Sequence, residues 1–536
     1  VENQFISLIA ILPPIACILT AIVSWFQPGM RPNIVKNFAV ITTYISILVA
    51  VTCCVLVHTY GLLESSLLGV HQIGLSIRLD SINVIMFTMI ALLSFIIVKF
   101  SLNYLDGEKR QGAFMGRLTA TIACVQLLVL SGNIGLLMIS WILTSISLHR
   151  LLVFYPNRPG AIVVARKKFL VARLADASLL TACVLLYMQF HTGNFEVIFT
   201  ELKNHAVANV HLIELTALFI TLAALIKSAQ FPSHGWLIEV METPTPVSAL
   251  LHAGLLNAGP FLIIRMSYIM DLSSYAHVIL IVIGAFTALF ASVVYLTQTS
   301  VKTALGYSSV AHMGFSLFAC GLGVYAAAML HLVAHSFYKA HAFLSSGSAI
   351  ELKRGLKIIP LERVGSPVKI IAGILLAIGV YVAFALLWGM NIQEQFALFA
   401  IGAIVVLGLA RIFTSALDSE KSVLLIVRAT ILALILTTAF FVLESSTHSL
   451  IADQLPELVA PSFVEMVLIG SILLVYIVAV GIQILAPYLS QSSVYQNWAI
   501  HLRNGFYVNA LFDRLVGTLR IKDSKNSFDW KEDANV

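Results

Sequence analysis

Uninterrupted apolar runs of about 20 residues recur along this chain, and that recurrence restricts the fold more than any other feature. Each run is long enough for an α-helix to cross a hydrocarbon core of about 30 Å. About fifteen are present, from 4–26 and 35–58 at the start, through 134–155, 163–190, 209–229, 246–271, 301–322, 324–350 and 366–388, to 461–487. Composition agrees, since 59% of the 536 residues are hydrophobic and only 11% are charged, against about 25% charged in soluble domains. The expected architecture is all-α, a polytopic transmembrane helix bundle of about 15 helices over residues 1–490. From 491 to 536 the chain becomes amphipathic, with Trp498, Leu502, Phe506 and Leu511 on one helical face, and reads as a cytoplasmic segment on the bilayer or against a partner.

Charge between the runs sets the orientation, because cytoplasmic connections are enriched in Lys and Arg. Arg31 and Lys36, Lys109 and Arg110, the group Arg158, Arg166, Lys167 and Lys168, the group Lys353, Arg354, Lys357 and Arg363, and Arg503, Arg514 and Arg520 all fall in alternate connections. The opposite connections are neutral or acidic, with Glu196, Glu201, Glu444, Asp453 and Glu457. The N-terminus is therefore expected outside and the C-terminus in the cytoplasm. A net charge of +6 fits this bias and implies no nucleic-acid partner. The six cysteines lie in apolar runs without metal-ligand spacing and read as small core residues. The first run is too long for a signal-peptide core and is expected to be a true span. Residues 59–80 interrupt the apolar pattern, and the alternation in GLSIRLD suggests a short hairpin.

Ionisable groups inside spanning runs carry the functional information, since each costs several kcal/mol unless paired or hydrated. The richest block is KSAQFPSHGWLIEVMETPTPVSALLH, from Lys227 to His252. Pro232, Pro244 and Pro246 forbid a continuous helix through it, so a broken helix 7 is expected. Such breaks are tolerated at membrane depth where protein or a water-filled cavity satisfies the freed backbone. Glu239 and Glu242 lie in the interruption and could pair with a lysine; the alternative is a helix-end lysine reaching the interface and glutamates in an ordinary loop. The second block is HLVAHSFYKAH, where His331, His335 and Lys339 are spaced i, i+4, i+8 on one face. A neutral imidazole can accept a proton on one nitrogen and donate from the other, and burial disfavours the charged form of an amine, so these groups could pass charge along the helix. Zinc held by His331 and His335 is the competing reading, but no third ligand stands nearby in sequence. Arg173 and Asp176 form a candidate i, i+3 pair. Lys302 and His312 could extend the line, with Lys302 also readable as a helix-end residue. Asp80 precedes a run and could be an N-cap.

These residues and their flanks resemble the antiporter-like subunits shared by respiratory complex I and multisubunit cation/proton antiporters. The resemblance covers roughly residues 75–350 and is carried by KSAQFPSHGWL, PTPVSALLHA, VKTALGYSS and HLVAHSFYKAHAFL. It implies two inverted five-helix repeats and a proton pathway along the membrane midplane. Lys227 then matches the broken-helix lysine, His252 the histidine that follows, and His331, His335 and Lys339 the second-repeat relay; Asp80, Arg173 and Asp176 also fall on family positions. Two departures stand out. The family usually has a glutamate after the tryptophan of helix 5, whereas Trp141 is followed by Ile142, and helix 12 lacks an internal proline and carries only Lys369, at its start. Arg411 on the next helix is a possible substitute.

With LHRLLVFYPNRP, METPTPVSALLHAGLLNAGPF and NWAIHLRNGFYVNALFDRL, those departures resemble DabB, the membrane-subunit family of two-component inorganic-carbon accumulating systems. The resemblance implies a peripheral cytoplasmic partner, a DabA-like zinc protein similar to a β-carbonic anhydrase. It also implies coupling of H+ or Na+ flux to hydration of CO2 to bicarbonate. No cofactor is expected in this chain, and the zinc is expected in the partner subunit; this chain is read as a transport subunit and not as an enzyme. The alternatives are a pumping subunit of complex I or of an antiporter, and a non-conducting scaffold that docks a soluble enzyme.

Overall fold

Lipid offers the backbone no hydrogen bonds, so each apolar run satisfies its own amides by coiling. The computed structural model describes residues 2–155, 158–204, 209–240, 243–347, 367–391, 395–408, 410–417, 422–457, 461–489 and 492–516. After helical turns from Glu2, the chain forms α1 (Leu12–Phe26), α2 (Asn33–Tyr60), α3 (Ser81–Tyr104), α4 (Gln111–Val129), α5 (Ile134–Leu152) and α6 (Pro159–Phe190). The interrupted region follows as α7 (Val210–Lys227), α8 (Gly235–Glu239), α9 (Thr245–Ala253) and α10 (Ala258–Arg265). Beyond it lie α11 (Ser274–Thr297), α12 (Val301–Gly321), α13 (Tyr325–Leu344), α14 (Pro367–Leu387), α15 (Phe396–Leu407), α16 (Ala410–Leu417), α17 (Ser422–Ile451) and α18 (Phe463–Leu489). The last two are α19 (Ser493–Arg503) and α20 (Val508–Val516). Among the described residues 12 helical segments are long and apolar enough to cross a membrane. α12 and α13 have the length but are more polar, and α15 is a shorter apolar helix.

Local chemistry fixes the ends. The Asp80 side chain accepts from the Asn83 amide at 3.0 Å and so caps α3 as expected. Asn133, Asn209 and Ser300 cap α5, α7 and α12 in the same way. The hairpin expected between α2 and α3 is present: Leu68–Val70 pairs antiparallel with Ile73–Leu75 across His71 and Gln72, both at positive φ, the hairpin-turn geometry. Asp80 has a second role. Its Oδ2 also accepts from Arg78 Nε at 2.7 Å and from Arg265 Nη1 at 2.6 Å, while Arg78 Nη1 reaches Glu196 at 2.7 Å. These groups tie the start of α3 to the end of α10, 185 residues away. A buried arginine pair is tolerable there because carboxylates answer it.

The α9–α10 stretch is the centre of the bundle, with its whole span buried, whereas α17 is mostly exposed to what surrounds the protein and α18 mostly half-buried. α11 and α12 meet backbone to backbone through small residues: a Cβ on Gly284 would stand 2.6 Å from the Phe318 amide, and one on Gly314 2.7 Å from the Ala288 amide. Cysteine placement follows expectation for Cys17, Cys53, Cys183 and Cys320, which are buried; Cys124 is half-buried, and Cys54 is exposed with its Sγ 3.4 Å from the Thr88 hydroxyl of α3. Three other expectations change. Lys167 and Lys168 are buried within α6 and not in a connection, because the helix begins at Pro159. Glu444 likewise lies buried inside α17. The C-terminal segment is two helices, because the chain turns at Gly505–Tyr507 with Phe506 and Tyr507 at positive φ. α14 runs without a break, as its lack of proline implies.

Candidate functional site

α7 winds down just after Lys227: the Ser228 and Gln230 amides still reach the Ala224 and Leu225 carbonyls, but Ala229 takes a positive φ and Pro232 has no amide to donate. The break leaves Lys227 beside α5. Its Nζ donates to the Ser145 Oγ at 2.9 Å, to the Trp141 carbonyl at 3.2 Å and to the Thr144 Oγ1 at 3.3 Å, and it stands 4.2 Å from the Trp141 ring centroid. All its direct acceptors are neutral. Where the family resemblance leads one to expect a carboxylate at Ile142, two hydroxyls one turn along α5 and an aromatic face solvate the amine instead. The carboxylate comes from α6. Asp176 is buried and ion-paired to Arg173 at 2.5 Å, and the other charges acting on it are those of Lys227 and Lys168. Neither Asp176 oxygen has an aligned hydrogen-bond donor, and the nearby Trp141 indole N–H is also unpartnered.

Lys168 belongs to the same group, although in the sequence it stands in what reads as a loop charge run. Its Nζ donates to the Ser145 carbonyl at 2.7 Å, so Ser145 takes one lysine on its hydroxyl and another on its carbonyl. Both amines line a cavity with Thr144, Trp236 and Leu251 whose space for the centre of a water-sized sphere is about 20 Å³. About 10–15 Å³ suffices for one water. Two amines, one carboxylate and a water-sized gap form a set in which a proton can change place while net charge is conserved.

α9 connects this group to α13. Leu251 lines the cavity, and the next residue, His252, is fully buried and stacks on Phe343 of α13 with centroids 4.2 Å apart. Just beyond, Asn257 Nδ2 donates to Ser336 Oγ at 2.6 Å. On α13 the expected stripe forms and gains a member from α12: His312 Nδ1 faces His331 Nε2 at 3.3 Å, and the His312 and His335 rings lie 5.0 Å apart. Lys339, buried, donates to Ser308 Oγ at 2.6 Å and to the Leu305 carbonyl at 3.3 Å, again neutral acceptors. Both ring nitrogens of His252 and of His335 lack a protein partner. A buried polar atom left unpaired costs about 1–3 kcal/mol, so these four nitrogens are hydrogen-bonding capacity inside the bundle that the protein itself does not use.

Not every candidate joins. Lys302 sits in the first turn of α12, partly exposed, in keeping with a helix-end residue reaching the interface. Glu242 and the Arg411 side chain lie outside the described residues. Glu239 does pair with a lysine, but with Lys167 at 3.2 Å and not with Lys227. Lys167 also contacts Asn509 and Asp513 of α20, so the C-terminal segment docks on this chain's own interruption. A side chain at Gly235 would run into the Asn509 amide, which makes glycine the residue that fits there.

Comparison with known proteins identifies the family. The family described as "NADH:quinone oxidoreductase/Mrp antiporter, TM" matches residues 131–361, and "NADH-Ubiquinone oxidoreductase (complex I), chain 5 N-terminus" matches 67–115. A protein of Halothiobacillus neapolitanus named "Probable inorganic carbon transporter subunit DabB2" is 35% identical over 461 residues, 84% of this chain and 81% of its own. The chain belongs to the DabB family. A DabB of Hydrogenovibrio crunogenus is 41% identical over 311 residues, 55% of this chain and 59% of that one. NADH-quinone oxidoreductase subunit L of Mycobacterium tuberculosis is 32% identical over 285 residues, 53% of this chain and 44% of its own. Among solved structures, the Mrp complex from Dietzia aligns with 96% of this chain and 59% of that chain at a TM-score of 0.66 and 20% identity. That likeness is of fold. The DabB chain is thus a multi-pass integral membrane protein with an antiporter-like bundle.

Proposed function

We propose that this DabB subunit conducts a cation, with the proton as first expectation, and that its flux energises inorganic-carbon accumulation by a peripheral, zinc-bearing, carbonic-anhydrase-like DabA subunit. The observation that carries the reading is the placement of Lys227 and Lys339, two amines inside the bundle that are solvated by neutral oxygens only. An amine held by a fixed carboxylate is committed to its charge, whereas one held by hydroxyls and carbonyls can lose a proton without stranding a counter-ion. The path would run through Lys168, Lys227 and Asp176, with Arg173 holding the carboxylate, then His252, then His335, His331, His312 and Lys339. The relatives' names support the carbon-transport half of the proposal.

The coupling follows from the chemistry. Hydration of CO2 yields bicarbonate and one proton, so a partner whose proton release is gated by cation flux through this chain would run in one direction only. The basic connections support an orientation with the N-terminus outside and the α6, α8 and α20 cluster on the cytoplasmic side of the inner membrane, where the partner would dock. Expressed together, the two subunits should let cells lacking carbonic anhydrase grow in ambient air, and an uncoupler should abolish the rescue. Rescue that survives the uncoupler would mean passive hydration and would leave this chain a scaffold. Co-purification with NADH dehydrogenase or antiporter subunits, without a zinc protein, would assign it to a respiratory or antiporter complex.

A further inference from the structure

At the opposite face from the basic connections, a cavity opens between α11, α13 and the α17–α18 connection. It offers about 210 Å³ to the centre of a water-sized sphere, room for several waters. Asp271, Glu457 and Glu465 line it, and among the described residues lining it there is no lysine or arginine. Carboxylates alone would be an ordinary surface, but two groups beneath them point to a ligand. Tyr325 is buried, with 3% of its surface exposed, and its hydroxyl has no partner in the protein. His277 Nδ1 lies 2.9 Å from the Gly321 carbonyl, which can only accept, so that nitrogen carries a hydrogen and the tautomer this selects presents a lone pair at Nε2. Nε2 is buried and unpartnered as well.

The lining therefore presents acceptors: carboxylate oxygens at the rim, a phenol oxygen and an imidazole nitrogen below. A monovalent cation that keeps most of its water suits such a set, held by hydrogen bonds from that water to these acceptors, because no three of the carboxylate and imidazole groups among the described residues converge on one bare ion. Tyr325 opens α13, six residues before His331, which is about 9 Å along the axis at 1.5 Å per residue. We propose that this cavity is an outward-facing cation site, for hydronium or Na+, at the outer end of the α13 histidine stripe. Its role in supply rests on the conducting function proposed above; cation binding there does not.

The test uses the full DabB chain with its partner in sealed membranes. Ser274→Cys places a thiol on the cavity lining, and Thr59→Cys, at an exposed position on α2, serves as a control thiol on the same face. Labelling of both by a membrane-impermeant maleimide should occur from the outer side. If Na+ is the ligand, Na+ replacing choline at constant pH should slow labelling of Ser274→Cys while leaving Thr59→Cys unchanged. If hydronium is the ligand, acidification should slow labelling of Ser274→Cys more than it slows that of Thr59→Cys. Either protection should disappear when Tyr325→Phe or Asp271→Asn is added. Labelling that ignores both cations, or protection that survives both substitutions, would overturn the site. Cation flux measured in the same membranes tests the conducting role separately, since protection without flux would keep the site and remove the conduction.

Discussion

Two buried lysines on opposite sides of the same helix break are held in opposite ways. Lys167 lies against Glu239 and Asp513, so its charge is neutralised in place and the contact joins α6, α8 and α20. Lys227, across the interruption, has only hydroxyls, a carbonyl and an indole face in direct contact, with the Asp176 carboxylate committed to Arg173. The first arrangement is a latch, because removing either charge strands the other. The second can alternate between charged and neutral amine with its surroundings unchanged. Lys339 repeats the second pattern on α13 with Ser308 and Leu305. Burial of an amine alone does not separate a conducting lysine from a structural one; the identity of its acceptors does.

That contrast can be broken most forcefully at Lys227. Lys227→Ala should reduce cation-dependent function to background while insertion, partner binding and thermal stability stay near those of the parent, since no carboxylate loses its sole partner. Retained function would place Lys227 with Lys167 as a structural group. Next in size are His335→Ala and Lys339→Ala. Each should impair conduction strongly and the double substitution should add little, because links in one relay are not independent; fully additive small losses would make the stripe a packing feature.

Lys167→Met should show the reverse profile. Stability should fall by up to about 3 kcal/mol, the lower end for breaking a buried pair, with partial exposure of Glu239 and Asp513 reducing it further. Flux per folded molecule should stay close to the parent, and thermal unfolding in detergent against flux in vesicles reads the two apart. The smallest effect belongs to Lys302→Ala, at a helix end, which should change flux within error; a large loss would extend the path to the start of α12.

How much of this is legible in the sequence depends on how local the cause is. Three prolines within the stretch after Lys227 announce the broken helix, and the i, i+4, i+8 spacing announces the α13 stripe, because helix geometry alone decides both. Lys167 and Lys168 read as loop charges and are not. The apolar AIVVA before RKKF is the available signal that α6 has already begun. Thr144 and Ser145 carry no mark until Lys227 is seen to lie on them, since serine and threonine are ordinary helix residues and the contact spans more than 80 residues. Arg265 with Asp80, and α20 on Lys167, are likewise long-range pairings that no local pattern encodes. The division of the C-terminal segment into two helices escapes the sequence because an amphipathic face can be drawn through the Gly505–Tyr507 turn as if it were absent.

The most direct measurement of the central claim is cation uptake into proteoliposomes containing the DabB subunit with its partner, driven by an imposed membrane potential and followed with a pH-sensitive dye and with labelled Na+. The account expects potential-driven uptake of one of the two cations by the parent, background uptake by Lys227→Ala, and near-parent uptake per folded molecule by Lys167→Met. Equal uptake by the parent and Lys227→Ala, or none by any of the three, would contradict it.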